Sequence, residues 1–489
     1  MIDTQAIRSK LLDLAMCGQL TEQLQDDGTA DDLYRLILAK RQSLIKSGGM
    51  KKDTFVSEVD DIPYEIPTTW KWVRLGSIAR VLGGKRIPAG RSLTEEDTGH
   101  IYIRVSDMKN RTVQIDGLMF VPKDIYPSIS QYIINKEDIY ITVAGTIGRV
   151  GKIPPEIDGA NLTENADRIV FAHLDQDWLI LCLSASMIQK QIELLTTQVA
   201  QPKLAIKRIQ EFLIPLPPLA EQHRIVEQIE QAFSVLDTID TLQTQYADNL
   251  AVLKSKLIDL AIQGKLTEQL PEDGTAEELY QQIQAEKQAL IKDGKIKKEK
   301  PLPEIADDEV PLDIPASWKW IRWGDIVNIV SARRVHQSDW RESGVPFYRA
   351  REIARLAEDG FVKNDLYISE ELYAEFSKTG VPHADDLMVS AVGTLGRTYV
   401  VKEGERFYYK DASVLCFVNF GKINPHFLAY TMKSNMMRQQ IESNSGGTTV
   451  DTLTMIRMIK YLLPLPPLAE QKRIVERLDQ ILAVCDELK

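Results

Sequence analysis

One long apolar seam dominates the hydrophobic pattern of this chain. Residues 215–266 contain no proline after Pro218 and no glycine before Gly264, and apolar residues recur there every three or four positions. That spacing predicts a helix with one apolar face and polar residues on its other faces. At about 1.5 Å per residue the helix would be roughly 65 Å long, so its seam needs a partner of similar length. The alternative is a long helix inside an ordinary core. The seam positions are Ile225, Ile229, Ala232, Leu236, Ile239, Leu242, Tyr246, Leu250, Leu253, Leu257 and Leu260.

A partner for the seam is present in the same chain, because both halves of the helix are repeated. Its opening, Pro215-Leu-Pro-Pro-Leu-Ala-Glu-Gln, recurs from Pro464, and its closing half, Lys256-Leu-Ile-Asp-Leu-Ala, is matched by Lys10-Leu-Leu-Asp-Leu-Ala. A second helix of the same kind is therefore divided between the two ends of the sequence. We expect the termini to meet and the two halves to lie antiparallel to the central helix.

Two segments of β-like runs separate the helical regions. Each follows a Trp-Lys-Trp sequence, which begins at Trp70 in the first copy and at Trp318 in the second. Short apolar runs alternate there with turns, and one amphipathic helix follows in each copy, so each segment is predicted to be a mixed α/β domain. The predicted strands are 101–105, 138–144, 168–172 and 212–215 in the first copy and 347–350, 387–392, 414–418 and 461–464 in the second, and the predicted helices are 177–195 and 425–441.

The predicted fold class is α+β, with two mixed α/β domains joined by two long antiparallel helices that form a coiled-coil spacer. The arrangement is expected to be pseudo-two-fold and circularly closed. A repeated frame around different interiors is typical of a protein that reads two different targets at a fixed separation. The predicted boundaries are an N-terminal helical region at 1–54, a first α/β domain at 55–215, a central helical region at 216–304, a second α/β domain at 305–464 and the C-terminal half of the distal helix at 465–489.

Composition leaves several classes of partner open and argues against others. The four cysteines form no Cys-x-x-Cys pair, which argues against a disulfide framework and a zinc site. The most apolar run, 178–188, is too short to cross a bilayer, and no leader is visible, so we expect a cytoplasmic protein without a membrane partner. The net charge of -11 comes mainly from the helical repeats. The α/β segments are nearly neutral and could still bind phosphate through local basic patches.

Four motifs, each present twice in the same order, carry a resemblance to the specificity subunit of type I restriction–modification enzymes. They are the Trp-Lys-Trp sequences, the β-like run that includes His100-Ile-Tyr-Ile-Arg-Val-Ser-Asp-Met, the turns Gly145-Thr-Ile-Gly-Arg and Gly393-Thr-Leu-Gly-Arg, and the duplicated Leu-Pro-Pro-Leu-Ala-Glu-Gln-x-Arg-Ile-Val-Glu openings. The resemblance extends over essentially the whole chain. Repeated helical sequence at both ends resembles only some members of that family.

The resemblance implies a non-catalytic subunit that recognises DNA. Each α/β segment would be a target recognition domain that reads one half of a split, asymmetric site in double-stranded DNA. The long helices would set the spacing and dock two modification (methyltransferase) subunits, through which restriction (translocase and endonuclease) subunits join. No cofactor is expected on this chain, whereas S-adenosylmethionine, ATP and Mg²⁺ are expected on the partner subunits.

Basic residues in loops of the two segments are the first candidates for DNA contacts. Arginine or lysine on guanine is the commonest way in which side chains read the major groove, whereas contacts to phosphates only set position. Lys85 and Arg86 follow the first Trp-Lys-Trp sequence, and Arg333 and Arg334 follow the second. The alternative for these four residues is a solvated loop without a ligand.

Equivalent positions after β-like runs supply the next candidates. Arg104 and Arg349, with Arg351 beside the latter, could contact DNA, or could instead pair with Asp107 or Glu352 at a strand end. Other basic residues nearby are Lys109, Arg111 and Arg355.

The Gly-Thr-x-Gly-Arg turns could approach a phosphate. The residues concerned are Gly145, Thr146 and Arg149 in the first copy and Gly393, Thr394 and Arg397 in the second. A purely structural role for the glycines is the alternative that we favour. The polar loops 161–165 and 443–449 could also reach bases.

Motifs that are missing from the sequence favour recognition over catalysis. There is no Gly-x-x-x-x-Gly-Lys-Ser/Thr phosphate loop and no His-Glu-x-x-His. An Asn/Asp-Pro-Pro-Tyr/Phe methyltransferase motif is also missing, since the nearest match, at Asn424, has histidine at its third position. Two alternatives remain open. One is a methyltransferase or nuclease with altered motifs, and the other is a scaffold whose globular parts bind proteins.

Overall fold

The structure is a computed structural model that describes residues 1–48, 59, 62–196, 203–298, 300–378, 380–393, 395–443 and 452–488. The chain divides into two compact units, Met1–Gln243 and Thr244–Lys489. Each unit combines helices of the helical regions with one α/β segment. The five boundaries predicted from the sequence subdivide these units and stay a prediction.

The first unit contains eight α-helices and twelve strands among its described residues, and the last of these helices continues into the second unit. The helices are α1 Thr4–Met16, α2 Ala30–Lys46, α3 Leu75–Ile78, α4 Tyr126–Ile129, α5 Gln176–Ser184, α6 Ser186–Thr196, α7 Ile206–Gln210 and α8 Leu219–Ile262. The strands are β1 Lys71–Arg74, β2 Ala79–Gly83, β3 Ile101–Ile103, β4 Met108–Lys109, β5 Thr112–Val113, β6 Met119–Phe120, β7 Ile133–Ile134, β8 Ile139–Thr142, β9 Val150–Lys152, β10 Ala160–Leu162, β11 Ala166–Phe171 and β12 Leu213–Leu216.

The second unit repeats much of this order. Its helices are α9 Ala276–Lys292, α10 Trp323–Ile326, α11 Ala350–Asp359, α12 Glu370–Ser377, α13 Pro425–Lys433, α14 Asn435–Ser443, α15 Met455–Met458 and α16 Leu468–Glu487. Its strands are β13 Lys319–Arg322, β14 Val327–Ser331, β15 Val345–Tyr348, β16 Tyr367–Ile368, β17 Leu387–Ser390, β18 Thr398–Val400, β19 Tyr408–Tyr409, β20 Val414–Asn419 and β21 Leu462–Leu465.

The long central helix predicted from the apolar seam is confirmed. α8 has 44 residues, which corresponds to about 66 Å at 1.5 Å per residue. In the first unit α1 lies antiparallel to α8. The start of α1 contacts a later part of α8, whereas the segment after α1 contacts the beginning of α8. The hydroxyl of Thr4 donates to Asp240 at 2.6 Å, whereas Thr21, beyond the end of α1, donates to Glu221 at 2.9 Å.

The second unit contains the other half of the predicted distal helix. α16 is also antiparallel to α8, since Lys254 pairs with Asp486 near the end of α16, whereas Thr267, beyond the end of α8, donates to Glu470 near its start at 3.0 Å. The antiparallel pairing of both halves with the central helix is thus observed within the separate units. Closure of the chain through its two termini stays a prediction.

The seam is buried only in part, and the prediction was wrong for four of its positions. Ile225 and Ile229 are fully buried, but Leu242, Tyr246, Leu253 and Leu260 are between 40% and 57% exposed. In the second unit α16 packs with Ile258, Ala261 and Ile262 of α8, so the covered face differs from the one that Leu253 and Leu260 occupy. These four uncovered residues all lie on α8.

Each unit has its own four-stranded main sheet, and the two sheets have the same arrangement. In the first unit the strand order is β2-β11-β8-β9, and in the second it is β14-β20-β17-β18; in both sheets all pairs are antiparallel. A two-stranded sheet joins the start of each α/β segment to its end, β1 to β12 and β13 to β21. The mixed α+β fold with a repeated frame is therefore confirmed.

The rest of each α/β segment differs between the units. The first has a β6-β3-β10-β7 sheet and a small β4–β5 hairpin, whereas the second has a β16-β15-β19 sheet together with α11 and α12. These differences follow from the sequences, which match in the frame and diverge between its strands.

Each single helix predicted near the end of an α/β segment is broken in two. The break lies at Ala185 in the first unit and at Ser434 in the second, both with extended backbone. In each case a carboxylate from another helix accepts the first backbone N–H of the second piece. Asp13 accepts from Ser186 at 3.2 Å, and Asp259 accepts from Asn435 at 2.9 Å. This capping satisfies a donor that a continuous helix would have bonded internally.

A buried hydrogen-bond cluster explains why the Trp-Lys-Trp and Leu-Ala-Glu-Gln sequences occur together. The carboxyl of Glu221 is only 1% exposed and accepts from Trp70 Nε1 at 2.8 Å, Thr21 at 2.9 Å and Gln23 at 2.7 Å. Glu470 repeats the arrangement in the second unit with a second set of donors. These donors are Trp318, Thr267 and Gln269.

The glycine that ends α1 is required by its backbone conformation and by its neighbour. Gly18 has φ +68°, and a Cβ there would lie 2.3 Å from Cγ of Pro67. Gly264 repeats both features, with φ +70° and a distance of 2.4 Å to Pro315. Only glycine tolerates both constraints, so the helix end and the start of the α/β segment stay in close contact.

Candidate nucleic-acid interface

The Gly-Thr-x-Gly-Arg turns connect two strands of the main sheet in each unit. In the first unit the turn lies between β8 and β9, and Gly145 and Gly148 have φ +77° and +85°. The hydroxyl of Thr142 accepts the Arg149 N–H at 2.9 Å and donates to the Thr146 carbonyl, which fixes the turn from inside. The glycines thus serve the backbone, as the structural alternative proposed.

The second unit repeats this turn between β17 and β18. Gly393 and Gly396 have φ +77° and +74°, and Ser390 Oγ accepts the Arg397 N–H at 3.0 Å. Ser390 thus occupies the position of Thr142, an equivalence that the sequence comparison had not used. Thr394 lies outside the described residues.

The arginines that end the two turns have different electrostatic surroundings. Arg149 is exposed and forms no ion pair with any described residue. Arg397 pairs with Glu358 at 3.1 Å, and both side chains are about half exposed. Thr146, which was predicted to contact DNA, is exposed at the tip of the first turn.

A cleft of about 550 Å³ lies beside the turn in the first unit. Three cationic residues, Lys109, Arg111 and Arg149, line it, and Gln189 from α6 donates to the Gly148 carbonyl at its edge. No carboxylate lines this cleft among the described residues. The full lining is Met108, Lys109, Asn110, Arg111, Tyr140, Ile147, Gly148, Arg149, Val150, Ser184 and Gln189.

The corresponding cleft in the second unit has a volume of about 570 Å³. It is lined by the cations Arg397, Lys433 and Arg438, but also by Glu442. Since Arg397 already pairs with Glu358, the positive charge of this cleft is partly balanced by protein carboxylates. Lys433 and Arg438 were not among the predicted contacts, although their location on α13 and α14, beside the second turn, could have drawn attention to them.

The basic loop after β2 projects from the first unit. Lys85 and Arg86 are both exposed. Arg86 pairs with Glu164 at 2.8 Å, while its side chain stays 76% exposed. The ammonium of Lys85 lies 5.7 Å from the centre of the Tyr132 ring. Surface pairs of this kind contribute little to stability, so both cations can exchange their partners for a phosphate or a base.

The equivalent loop of the second unit is held in a similar way. Arg333 pairs with Glu375 at 3.0 Å, and its guanidinium lies 4.4 Å from the Phe376 ring centre. Arg334 pairs with Asp411 at 3.1 Å and is 71% exposed. The two loops therefore present two cations each, in spite of their different sequences.

Arg104 has the structural partner that the sequence offered as an alternative. Its guanidinium donates twice to Asp107, at 2.8 and 3.0 Å, and once to the Gly117 carbonyl at 3.0 Å. The hydrogen bond with Asp107 raises the pKa of Arg104. Because the carboxylate is only 7% exposed, this pair fixes the strand end.

Arg349 and Arg351 converge on Glu352 in the second unit. Arg349 donates twice to its carboxylate, at 2.9 and 3.0 Å, and Arg351 donates once, at 2.8 Å. Burial alone would raise the pKa of Glu352, but these hydrogen bonds lower it to about 2. Both arginines also reach Asp365. Arg351 is 54% exposed and Arg349 27%, so Arg351 is the more accessible of the two.

Two features of the described residues bear on the class of site. Among the described residues, no group of three or more histidine, cysteine, aspartate or glutamate side chains is arranged to hold a metal ion. No single described helix is long and apolar enough to span a bilayer. The bent pair α5 and α6 reaches the required length and hydropathy only when its two helices are taken together. Most of the apolar residues of this pair are buried in the core. The polar loop 443–449 lies outside the described residues except for Ser443.

Comparison with known proteins gives matches over both halves of the chain. The model of the type I restriction modification DNA specificity domain matches residues 67–245 and 315–489. The chain is 25% identical to the type I restriction enzyme EcoAI specificity subunit of Escherichia coli over 562 residues, covering 99% of this chain and 90% of that protein. It is 24% identical to the EcoEI specificity subunit of the same organism over 569 residues, with the same coverage.

A solved structure that concerns complex assembly and conformational transition of the type I R-M system has the same fold. It superposes with a TM-score of 0.57 at 19% identity and covers 87% of this chain and 93% of that chain. The resemblance inferred from the four repeated motifs is therefore confirmed over nearly the whole sequence.

Proposed function

Because the chain belongs to the type I restriction–modification DNA specificity family, we propose that it is the subunit that selects the DNA sequence for a type I complex. Each of its two target recognition domains, 55–215 and 305–464, reads one half of a bipartite, asymmetric site in double-stranded DNA. The helices set the spacing between the two halves. Methyltransferase, translocase and endonuclease chemistry, with S-adenosylmethionine, ATP and Mg²⁺, belongs to the partner subunits.

The observation that carries this proposal is a constant frame around variable interiors. Both units have the same four-stranded main sheet and the same closing strand pair, whereas the second sheet and the helices beside it differ. A shared frame supports identical attachment to the rest of the complex. Different interiors support different half-sites, since base readout depends on the side chains presented to the groove.

Contacts to DNA are proposed in three groups, which differ in their location and in their present partners. The leading group consists of four exposed cations, each on a loop of a variable interior. They are Lys85, Arg86, Arg333 and Arg334. The turn residues Thr146, Arg149 and Arg397 form the second group, at positions suited to phosphates. The third group is Arg104, Arg349 and Arg351, whose present carboxylate partners would have to share them with DNA.

Two modification subunits are proposed to dock on the helices, one in each unit, with restriction subunits joining through them. Exposed apolar residues occur at repeated positions of the helical regions and support this stoichiometry. Val235 of α8 is 61% exposed, and its sequence equivalent Val484 of α16 is 57% exposed. Ile7 and its equivalent Leu253 are 40% and 45% exposed. The recurrence of these exposed apolar residues at equivalent positions is what supports docking of the same partner on each unit.

The test is a map of methylated bases across a genome that carries the modification subunit, with and without this chain. We expect one bipartite asymmetric motif that disappears when the chain is deleted. The double variant K85A/R86A should weaken methylation at that motif, whereas R35A, which removes a 77% exposed cation from α2, should leave it unchanged. Unaltered methylation without the chain would refute the function, and unaltered methylation in K85A/R86A would refute those two contacts alone.

The enzyme alternative has its own test. Incubation of the purified chain alone with DNA and S-adenosylmethionine should give no methyl transfer. Methyl transfer by the chain alone would contradict the proposal that methyltransferase activity belongs to a partner subunit.

A further inference from the structure

Arg111 has an unusual place in the first unit. It follows Asn110 at the tip of the β4–β5 hairpin, and both residues are left-handed, with φ 52° and 59°. Two consecutive residues with positive φ are the pattern of a two-residue type I′ loop, in which glycine is strongly preferred at the second position. Strain at a non-glycine residue is often kept because its side chain has a function.

The surroundings of Arg111 leave its charge without a counterion. Its guanidinium lies 5.0 Å from the Phe233 ring centre on α8, and the guanidinium of Arg8 lies 5.1 Å from the same ring. Arg8 is neutralised by Asp237 and Asp240, at 2.8 and 3.0 Å. No described carboxylate lies within ion-pair distance of Arg111.

The pKa of Arg111 agrees with this geometry. Burial and then repulsion from Arg8 lower it. An arginine nevertheless stays protonated at neutral pH, so the charge persists. Asp177 and Glu230 line the cavity behind Arg111, but Asp177 is already bonded to Lys152 at 2.8 and 3.1 Å, and neither carboxylate forms an ion pair with Arg111. A largely buried cation that lacks a protein partner is stabilised by binding an anion from outside.

Arg111 does not stand alone, because Lys109 and Arg149 line the same cleft. Three cationic residues therefore line a space of about 550 Å³ that no described carboxylate lines. Two neighbouring polar groups are already used, since Tyr140 donates to the Thr112 carbonyl at 2.8 Å and Gln189 donates to backbone carbonyls. The cations, together with the amide of Asn110, are thus the groups left to hold a ligand.

We propose that this cleft binds one phosphate group of the DNA backbone, with Lys109, Arg111 and Arg149 as its ligands. The proposal rests on the proposed function and adds a site that reads no base. Through the contact of Arg111 with Phe233, the bound phosphate would also be tied to the long helix α8. The equivalent cleft of the second unit differs, because Glu358 pairs with Arg397 and Glu442 lines the cleft, so that its positive charge is partly balanced.

The experiment compares R111G and R111K in the full-length chain purified together with its modification subunit. Binding to a duplex of arbitrary sequence is measured between about 50 and 200 mM salt, the range in which counterion release dominates. Glycine suits the left-handed position and removes the charge, whereas lysine keeps it. We expect the slope of log K against log salt to become shallower by about one in R111G and to be retained in R111K.

Thermal unfolding of the same samples separates a binding role from a structural one. The melting temperature of R111G should stay close to that of the original chain, because the loss of the stacking contact is offset by relief of backbone strain. A lower melting temperature with an unchanged salt slope would overturn the proposal, as would a slope that changes equally in both variants or in neither. Should R111G fail to fold, K109S provides the same test, since Lys109 is exposed.

Failure of this proposal can be told apart from failure of the proposed function. If the unaltered complex binds DNA and methylates its motif but R111G keeps the full salt slope, only the phosphate cleft is refuted. If the unaltered complex neither binds DNA nor methylates any motif, the proposed function itself is refuted.

Discussion

Replacing Glu221 with glutamine should loosen the first unit although the side chain keeps its size. Three donors converge on the two carboxylate oxygens, with Thr21 and Gln23 on Oε1 and Trp70 on Oε2. A glutamine side chain has only one acceptor oxygen, so at least one of these donors would face an NH₂ group. Since the site is 1% exposed, water cannot take over the lost bond.

The expected loss in unfolding free energy follows from these bonds. Hydrogen bonds to a charged group contribute about 1.5–3 kcal/mol each, and a buried donor left without a partner costs about 1–3 kcal/mol. E221Q should therefore lower the stability of the first unit by about 2–4 kcal/mol. The bonds connect α8 to the segment between α1 and α2 and to the start of β1, so the loss should be largest there.

Urea unfolding followed by hydrogen exchange and mass spectrometry measures this loss for each unit separately. Peptides from residues 18–30 and 64–74 should lose protection at lower urea in E221Q, whereas peptides from the second unit should not. E470Q is the matched control, because Glu470 has the same three kinds of donor in the second unit, at 2.6, 2.7 and 3.0 Å. A change below about 0.5 kcal/mol in E221Q, or the same protection loss in both units, would contradict this account of the cluster.

Three other predictions follow from single positions. G18A should lower the melting temperature by several degrees, because the left-handed backbone and the 2.3 Å approach to Pro67 both oppose a side chain; unchanged melting in calorimetry would contradict this. Burial raises the pKa of Asp167 to about 6, above its ordinary 3.8. The stability that the protonated carboxyl contributes is therefore lost as the pH rises from about 4 through 6. D167N should melt at a higher temperature than the unaltered chain above about pH 6 but not below about pH 4. V235D and V484D should each reduce the number of modification subunits bound, by native mass spectrometry, from two to one; two subunits retained in both variants would refute docking at these positions.

Much of the fold could be predicted from the sequence because local patterns and a duplication carry it. The apolar period of α8, with proline at its entry and glycine after its end, places the helix within a few residues of its observed bounds. The strands β8, β11, β17 and β20 were expected at nearly the positions observed, since short apolar runs between turns define them. The repeated motifs also indicated two copies of one frame.

The candidate site was predictable only in part. Lys85 and Arg86 could be chosen from their place in a basic loop, and they are exposed as expected. Arg104 could not be distinguished from them, because its two bonds to Asp107 depend on a local turn that charge alone does not reveal. The sequence could not single out Arg111 among the basic residues near it, since neither its left-handed backbone nor its contact with Phe233 has a sequence signature.

The sequence by itself determined the duplication, the long helix and the frame, since each depends on residues close together in the chain or on direct repetition. Only the tertiary structure decided which apolar positions of α8 stay uncovered, where Asp13 caps α6, and how Glu221 collects its three donors. The partners in each of these contacts are separated by 150 residues or more along the chain. Local periodicity and propensity carry no information about such pairs, because they form only when the whole unit packs.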